Sequence, residues 1–414
     1  MTAKTKRHKR RRDPSKPQPG DSRPRRIWLP KLLALSVASV LALVAGEVIV
    51  RLLDVGPEII PVYAENFRLS DNPELRYELV PGSQYLGGAI NADGMRDRDY
   101  PVEKSAGVFR IACLGDSICF GYDVKADETI AGRLEEYLNR YYTSDGWSFE
   151  VLNFGVTGYN ITQVVENLRL RALKYDPDLI IYAYSMNDPQ EFSIELDALR
   201  AKLTCAEQNY IDRLRRPGRN LALHSRLYVL THFILESRTS AGRRTGTSST
   251  DREWSSLWSG TYHRYYSDLH QDADSWRRVD TGLMELGRIT HNHGIPGYVV
   301  IFPVMKDFAR YPLSDVHAKV AGAARDNSLL ILDMLEPYHT LSQIPGERFA
   351  RDYLHPDAPG YAYAAVVILR RLLIEHDLPV EDDDITRLVE HDTLEGHFAD
   401  MLMRRLPLSA TQSP

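Results

Sequence analysis

Five short apolar runs constrain this chain more than any other feature. Val108–Leu114, Phe149–Leu152, Leu179–Tyr184, Tyr298–Phe302 and Leu329–Leu332 are nearly continuous and do not alternate with polar residues. A strand with one wet face alternates, so continuous runs point to strands covered on both faces. Between them the period changes. Ile130, Leu134, Tyr137, Leu138 and Tyr141 fall at helical spacing, as do Ile161, Val164, Val165 and Leu168, and then Trp276, Val279, Leu283 and Leu286. A last helix is predicted over Gly360–Ile374. Strand and helix in alternation, with buried strands, predict an α/β domain with a five-stranded, doubly wound parallel sheet over about residues 105–378.

A second apolar stretch is of another kind. Residues 32–50 are apolar except for Glu47 and match the ~20 residues that a helix needs to cross a bilayer. Residues 1–31 carry twelve Lys/Arg against two Asp/Glu, while the rest of the chain has a net charge of −15. Basic residues before a spanning helix stay on the cytoplasmic side. The expectation is a single-pass protein with a disordered cytoplasmic tail over 1–31, a transmembrane anchor over 32–50, and its folded part extracytoplasmic, periplasmic or extracellular. A cleaved signal at Val44-Ala45-Gly46 is the alternative. A basic tail on an acidic body argues against a nucleic-acid partner, whose binding face spreads positive charge over a fold.

Residues 54–107 hold turn signals and few periodic runs, and are expected to form an irregular lead-in. Residues 189–260 break the strand–helix pattern. They begin helically and pass into the Ser-, Thr-, Gly- and Arg-rich stretch Arg238–Thr250, a mobile loop or lid by composition. Residues 379–414, opening on Glu381-Asp382-Asp383-Asp384, are expected to form a helical tail. Cys113, Cys119 and Cys205 are too few to staple a fold. Tyr262, Tyr265 and Tyr266, with Trp254 and Trp258, either pack the insertion onto the body or stack on sugar rings, and packing is favoured. His291-Asn292-His293 lacks the Cys or acidic partners of a metal site and is expected to end a solvated helix.

Chemistry gathers where strands end. The first run leads into Gly115-Asp116-Ser117-Ile118. In doubly wound sheets ligands bind beyond the carboxyl ends of the strands, where a helix beginning after Ser117 would aim N–H groups at the site. Asp352-Tyr353-Leu354-His355-Pro356 sets a carboxylate three residues before an imidazole. A serine hydroxyl is a poor nucleophile until a neighbouring imidazole takes its proton, and the imidazole needs a carboxylate to fix its tautomer. Asn153-Phe154-Gly155-Val156-Thr157-Gly158 follows the second run and Ser185-Met186-Asn187-Asp188 the third. Backbone N–H groups and an Asn amide there can hold a developing oxyanion. Taken singly these motifs are ordinary: Asp116 and Ser117 cap a helix, Asp352 and His355 pair on a surface, Gly158 turns the chain and Asn187 caps a helix.

Together, in the order Ser, Gly, Asn, Asp/His, the four blocks resemble the SGNH (GDSL) hydrolase superfamily over about residues 105–375. Gly94-Met95-Arg96-Asp97 is similar to a stretch preceding the first strand in membrane-anchored bacterial members. The resemblance implies a flavodoxin-like sheet order. It makes Ser117 the nucleophile, His355 the base and Asp352 its orienting acid. The oxyanion hole would consist of the N–H groups of Ser117 and Gly158 and the Asn187 amide. No metal or organic cofactor is implied. The chain departs from the family at Ser185, where glycine is usual and a tighter loop or a hydroxyl near the site is expected, and at Cys119, where threonine or serine is common. The implied activity is a serine esterase acting on an O-acyl ester, with an acetylated envelope carbohydrate or lipid as the expected substrate. An O-acyltransferase using the same acyl-serine and a non-catalytic, membrane-anchored binding scaffold are the alternatives.

Overall fold

The computed structural model describes residues 28–52, 64–205 and 261–379, apart from residues 87, 143–145, 345, 347 and 376, together with a few positions between 225 and 231. Most of the basic tail, Arg238–Thr250, Trp254, Trp258 and nearly all of 379–414 lie outside the described residues.

The five apolar runs form one parallel sheet of strands β1 (Val108–Gly115), β2 (Ser148–Asn153), β3 (Leu179–Tyr184), β4 (Gly297–Ile301) and β5 (Leu330–Asp333). Their spatial order is β2-β1-β3-β4-β5. The register pairs Val108 with Ser148, Ile111 with Leu179, Ile180 with Gly297 and Tyr298 with Leu330. The chain therefore leaves β1 in one direction for β2 and returns to its other side for β3. That reversal makes the carboxyl ends of β1 and β3 the switch point of the sheet, where a doubly wound fold opens a crevice.

Alternate residues of β1 face opposite cores, Ala112 and Leu114 one and Ile111 and Cys113 the other. The central strand β3 is fully buried along its length. Each fully buried Val or Leu side chain contributes about 1.5–3 kcal/mol. This is why the strands show no alternation. On one face lie α4 (Ile161–Leu170), α7 (Ala273–His293) and α8 (Ser314–Asp326). The other face is covered by α3 (Ile130–Tyr142), α9 (Leu335–Ser342) and α10 (Ala358–Ile374). Val279, Leu283 and Leu286 are buried on α7, as their spacing predicts, and Trp276 packs partly buried beside them. Asp357 starts α10 by accepting a hydrogen bond from Gly360 N at 3.1 Å, just after the His355 loop.

The described lead-in residues contain two small antiparallel ribbons, Phe67–Leu69 with Tyr77–Leu79 and Gln84–Tyr85 with Gly88–Ala89. Their apolar side chains, Leu75, Tyr77, Leu79, Ile90 and Met95 among them, join the core shared with α4 and α7. Helix α5 (Ile194–Cys205) follows β3, and α6 (Tyr262–Gln271) precedes α7. Tyr262 and Tyr266 of α6 are buried and Tyr265 packs against the same core. His291 and His293 stand exposed in the last turn of α7. Among the described residues no group of three His, Cys, Asp or Glu is placed to hold a metal ion.

Helix α1 (Trp28–Leu52) is separate in character. An 18-residue stretch within Lys31–Leu52 has a mean hydropathy of 2.4 with 6% of it buried, so the helix is long and apolar enough to span a membrane.

Candidate active site

Strand β1 ends at Gly115 with φ +151°, and a Cβ there would meet Ala183 O at 2.8 Å and Cys119 Cβ at 2.9 Å. Only glycine lets the chain turn this tightly against β3. Asp116 then accepts a hydrogen bond from Ile118 N at 2.9 Å and caps α2 (Ser117–Phe120). The helix expected after Ser117 is a single turn, closed by Gly121 in the left-handed conformation. Four residues sum few peptide dipoles, so the macrodipole expected at Ser117 is small and the longer helix begins only at Ile130.

The structure brings Ser117, Asp352 and His355 together. His355 Nε2 lies 2.8 Å from Ser117 Oγ, and His355 Nδ1 lies 2.7 Å from Asp352 Oδ2. With a carboxylate at Nδ1, the Nδ1–H tautomer is favoured, so Nε2 is free to accept the serine proton. Asp352 Oδ1 accepts from Leu354 N at 2.7 Å and His355 N at 2.8 Å. These bonds lock the Asp-x-x-His loop into one shape, and all three side chains are buried. Burial alone would lower the His355 pKa, but the charge and hydrogen bond of Asp352 outweigh it and raise the group above its ordinary value. Burial would raise Asp352, but its interactions with His355 hold it below the usual range.

Gly158 and Asn187 line the same cavity of about 50 Å³ as Ser117 and His355. Gly158 has φ +72°, and a Cβ there would fall 1.9 Å from Glu195 Oε2. Both backbone and space therefore require glycine. The Asn187 amide acts to lower the Asp116 pKa, as a donor facing that carboxyl does. An amide carries two N–H donors, so one remains for the cavity. Asn187 Oδ1 is buried with no partner among the described residues. Burial raises the pKa of Asp116, against the opposing effects of Ile118 N, His355, Ser117 and Asn187.

The two departures from the family pattern are accommodated. Ser185 is buried behind the site; its N–H donates to Asp188 Oδ2 at 3.2 Å and its carbonyl accepts from Asp188 N at 3.1 Å. It adds no hydroxyl to the cavity wall. Cys119 is buried with its Sγ 3.1 Å from Cys113 Sγ, and both thiols are free.

Three contributors lie outside the Ser, Gly, Asn and Asp/His blocks. The Tyr122 ring lies 4.7 Å from the His355 ring, tilted 35°, and forms part of the cavity wall. Glu195, from the first turn of α5, lines the cavity against Gly158. Arg96, of the Gly94–Asp97 stretch, is buried between the Tyr85 and Phe120 rings, 4.4 and 4.8 Å from their centroids. Its guanidinium donates to the carbonyls of Phe120, Gly121 and Val124, pinning the loop that carries Tyr122. Burial lowers its pKa to about 10, which leaves it charged. The neighbouring Asp97 accepts from Asn153 N at 2.9 Å and so ties the same stretch to the end of β2. The Arg-Asp pair was visible in the sequence as part of a family-like stretch, although its contacts were not.

A family model for GDSL-like lipases and acylhydrolases matches residues 113–363, well over half of the 414 residues. No curated protein matches the chain. Similar solved structures include a two-domain esterase active on acetylated mannans, at 16% identity and TM-score 0.37 over 64% of this chain and 50% of that one. This chain thus spans half the length of that esterase. An acetyl xylan esterase is similar at 13% identity and TM-score 0.36, over 64% of this chain and 100% of that one. A lipase/acylhydrolase from Enterococcus faecalis is similar at 16% identity and TM-score 0.34, over 64% and 95%.

Proposed function

Since the chain belongs to the GDSL-like lipase/acylhydrolase family, we propose that it is a carboxylic ester hydrolase that cleaves a small O-acyl ester with Ser117 as nucleophile. The observation that carries this is the continuous hydrogen-bond path Ser117–His355–Asp352, at 2.8 and 2.7 Å, opening into a cavity. Ser117 Oγ attacks the acyl carbon while its proton passes to His355 Nε2. The Ser117 and Gly158 N–H groups and the Asn187 amide hold the oxyanion. Collapse expels the alcohol oxygen, which takes the proton back from His355. Water, deprotonated by the same imidazole, then releases the acid and frees Ser117. The Asp352 charge favours the imidazolium formed in each half.

Helix α1 serves as a membrane anchor, with the basic residues of 1–31 cytoplasmic and the hydrolase outside. That placement puts envelope carbohydrate or lipid esters within reach.

The test uses the full chain in detergent on a short-chain aryl acetate beside Ser117→Ala. Turnover that disappears in the variant supports the serine esterase. Turnover that persists removes Ser117 from the role. Labelling of Ser117 by a phosphonate without hydrolysis points to acyl transfer onto an absent acceptor hydroxyl.

A further inference from the structure

Glu195 is a titratable side chain in the cavity wall for which the Ser-His-Asp chemistry has no use. Its surroundings fix its protonation by counting hydrogens. Three oxygen–oxygen contacts run in series. Tyr77 Oη is in hydrogen-bond contact with Thr157 O at 2.8 Å, Ser193 Oγ with Tyr77 Oη at 2.8 Å, and Ser193 Oγ with Glu195 Oε2 at 2.9 Å. Three such contacts need three protons. A tyrosine and a serine hydroxyl supply one each, and the Thr157 carbonyl supplies none. Ser193 Oγ also accepts from Leu196 N at 3.2 Å, which uses one lone pair and leaves one for a donor. With Glu195 ionised, two hydroxyl oxygens would face each other at 2.8 Å with no hydrogen between them. The third proton belongs to the carboxyl.

Resting on the serine-esterase reading above, we propose that Glu195 is a positioning residue held as a neutral carboxylic acid. Its O–H donates to Ser193, Ser193 to Tyr77, and Tyr77 to Thr157, and this chain fixes the turn that presents Gly158. The same carboxyl packs on Gly158 itself, where a Cβ would fall 1.9 Å from Oε2. Loss of its proton breaks the chain and sets a negative charge beside the place where the oxyanion develops. The groups facing it act consistently. Burial and the charge of Asp116 both raise the Glu195 pKa, against hydrogen bonds from its own N–H and Thr157. Ionised Glu195 would favour the charged form of His355 and oppose ionisation of Tyr77. A neutral Glu195 therefore also keeps the His355 imidazole free to act as base.

The test compares the full chain with Glu195→Gln and Glu195→Ala. The Gln amide is permanently neutral and donates to Ser193 as the acid does, whereas Ala removes the donor. Infrared difference spectra, wild type minus Glu195→Gln, are expected to contain the carbonyl band of a protonated carboxyl near neutral pH. A carboxylate band in its place overturns the proposal. On aryl acetate, Glu195→Gln is expected to stay within about threefold of wild type and Glu195→Ala to lose about tenfold. The alkaline fall of kcat/KM should weaken in Glu195→Gln. A Gln variant as slow as Ala, or pH profiles that superimpose, also overturns it. If wild type hydrolyses no ester, the esterase reading falls, while the infrared band still decides the protonation of Glu195.

Discussion

The two ends of strand β1 solve the burial of polar groups in opposite ways. At its amino end Arg110 is almost wholly buried, yet its guanidinium donates to Glu150 at 2.6 Å, to the Val102 and Tyr175 carbonyls at 2.8 Å and to Pro101 O at 2.7 Å. Its backbone N–H donates to Asp178 at 2.7 Å, and Lys104 binds the same carboxylate. At the carboxyl end Asp116, Asp188 and Glu195 are carboxyls whose pKa values burial raises. Asn187 Oδ1 and Asp188 Oδ1 lack partners there among the described residues. Unpaired buried polar atoms cost about 1–3 kcal/mol each. One end pairs its buried polar groups, while the other leaves some of them unpaired beside the cavity.

Substitutions at the two ends should therefore separate activity from stability. The largest effect is expected for Ser117→Ala, with kcat falling at least about ten-thousandfold while the melting temperature holds. Asp352→Asn should approach that loss, about 10⁴-fold, because the amide no longer enforces the Nδ1–H tautomer. Steady-state kinetics and calorimetry on the same preparations check both, and a variant that melts early breaks the contrast. Arg110→Met strands Glu150 and should lower stability by about 3–5 kcal/mol, with kcat per folded molecule unchanged. Denaturant unfolding with active-site titration measures it, and a loss of kcat would mean that the amino end also shapes the site.

Two pH effects are smaller. His355 must be neutral to accept the serine proton, and its pKa lies above the ordinary 6.5. The acid limb of kcat/KM should therefore rise through a midpoint above 6.5 and move down in Asp352→Asn, where residual rates permit. For stability, the sign follows the carboxyl end. Asp188, Asp116 and Glu195 bind protons more tightly folded than unfolded, so the folded state loses stability as pH rises from their unfolded values through their folded ones. Asp352, with a lowered value, acts oppositely and loses stability as pH falls. A melting series from about pH 5 to about pH 8 should decline, and more gently in Asp188→Asn. An unchanged slope in that variant assigns the decline to other groups.

The sheet was legible because burial on both faces removes alternation, and five continuous runs have few other uses. Strand ends shifted by about a residue: β1 continues through Gly115, and β4 begins at Gly297 and stops before Phe302. The Ser117, Asn187 and Asp352/His355 blocks were legible because each directly follows a strand or precedes a capped helix. Their roles still rest on resemblance and geometry. Tyr122 and Glu195 were not legible. Each reaches the cavity through tertiary packing, one from the loop that Arg96 clamps and the other from a helix whose position depends on Tyr77 and Ser193. No local spacing encodes such meetings. The helix expected after Ser117 is present as the one-turn α2, and its shortness follows from the left-handed Gly121 that stops it.

Arg96 has a consequence for where this enzyme begins. The family match starts at Cys113, and the sheet at Val108. Yet the carbonyls of Phe120, Gly121 and Val124 all terminate on a guanidinium supplied from upstream, and Thr157 leans on Tyr77. A chain cut at the first strand would retain Ser117, Asp352 and His355 and lose these upstream contacts, so a working fragment is expected to reach back beyond Tyr77.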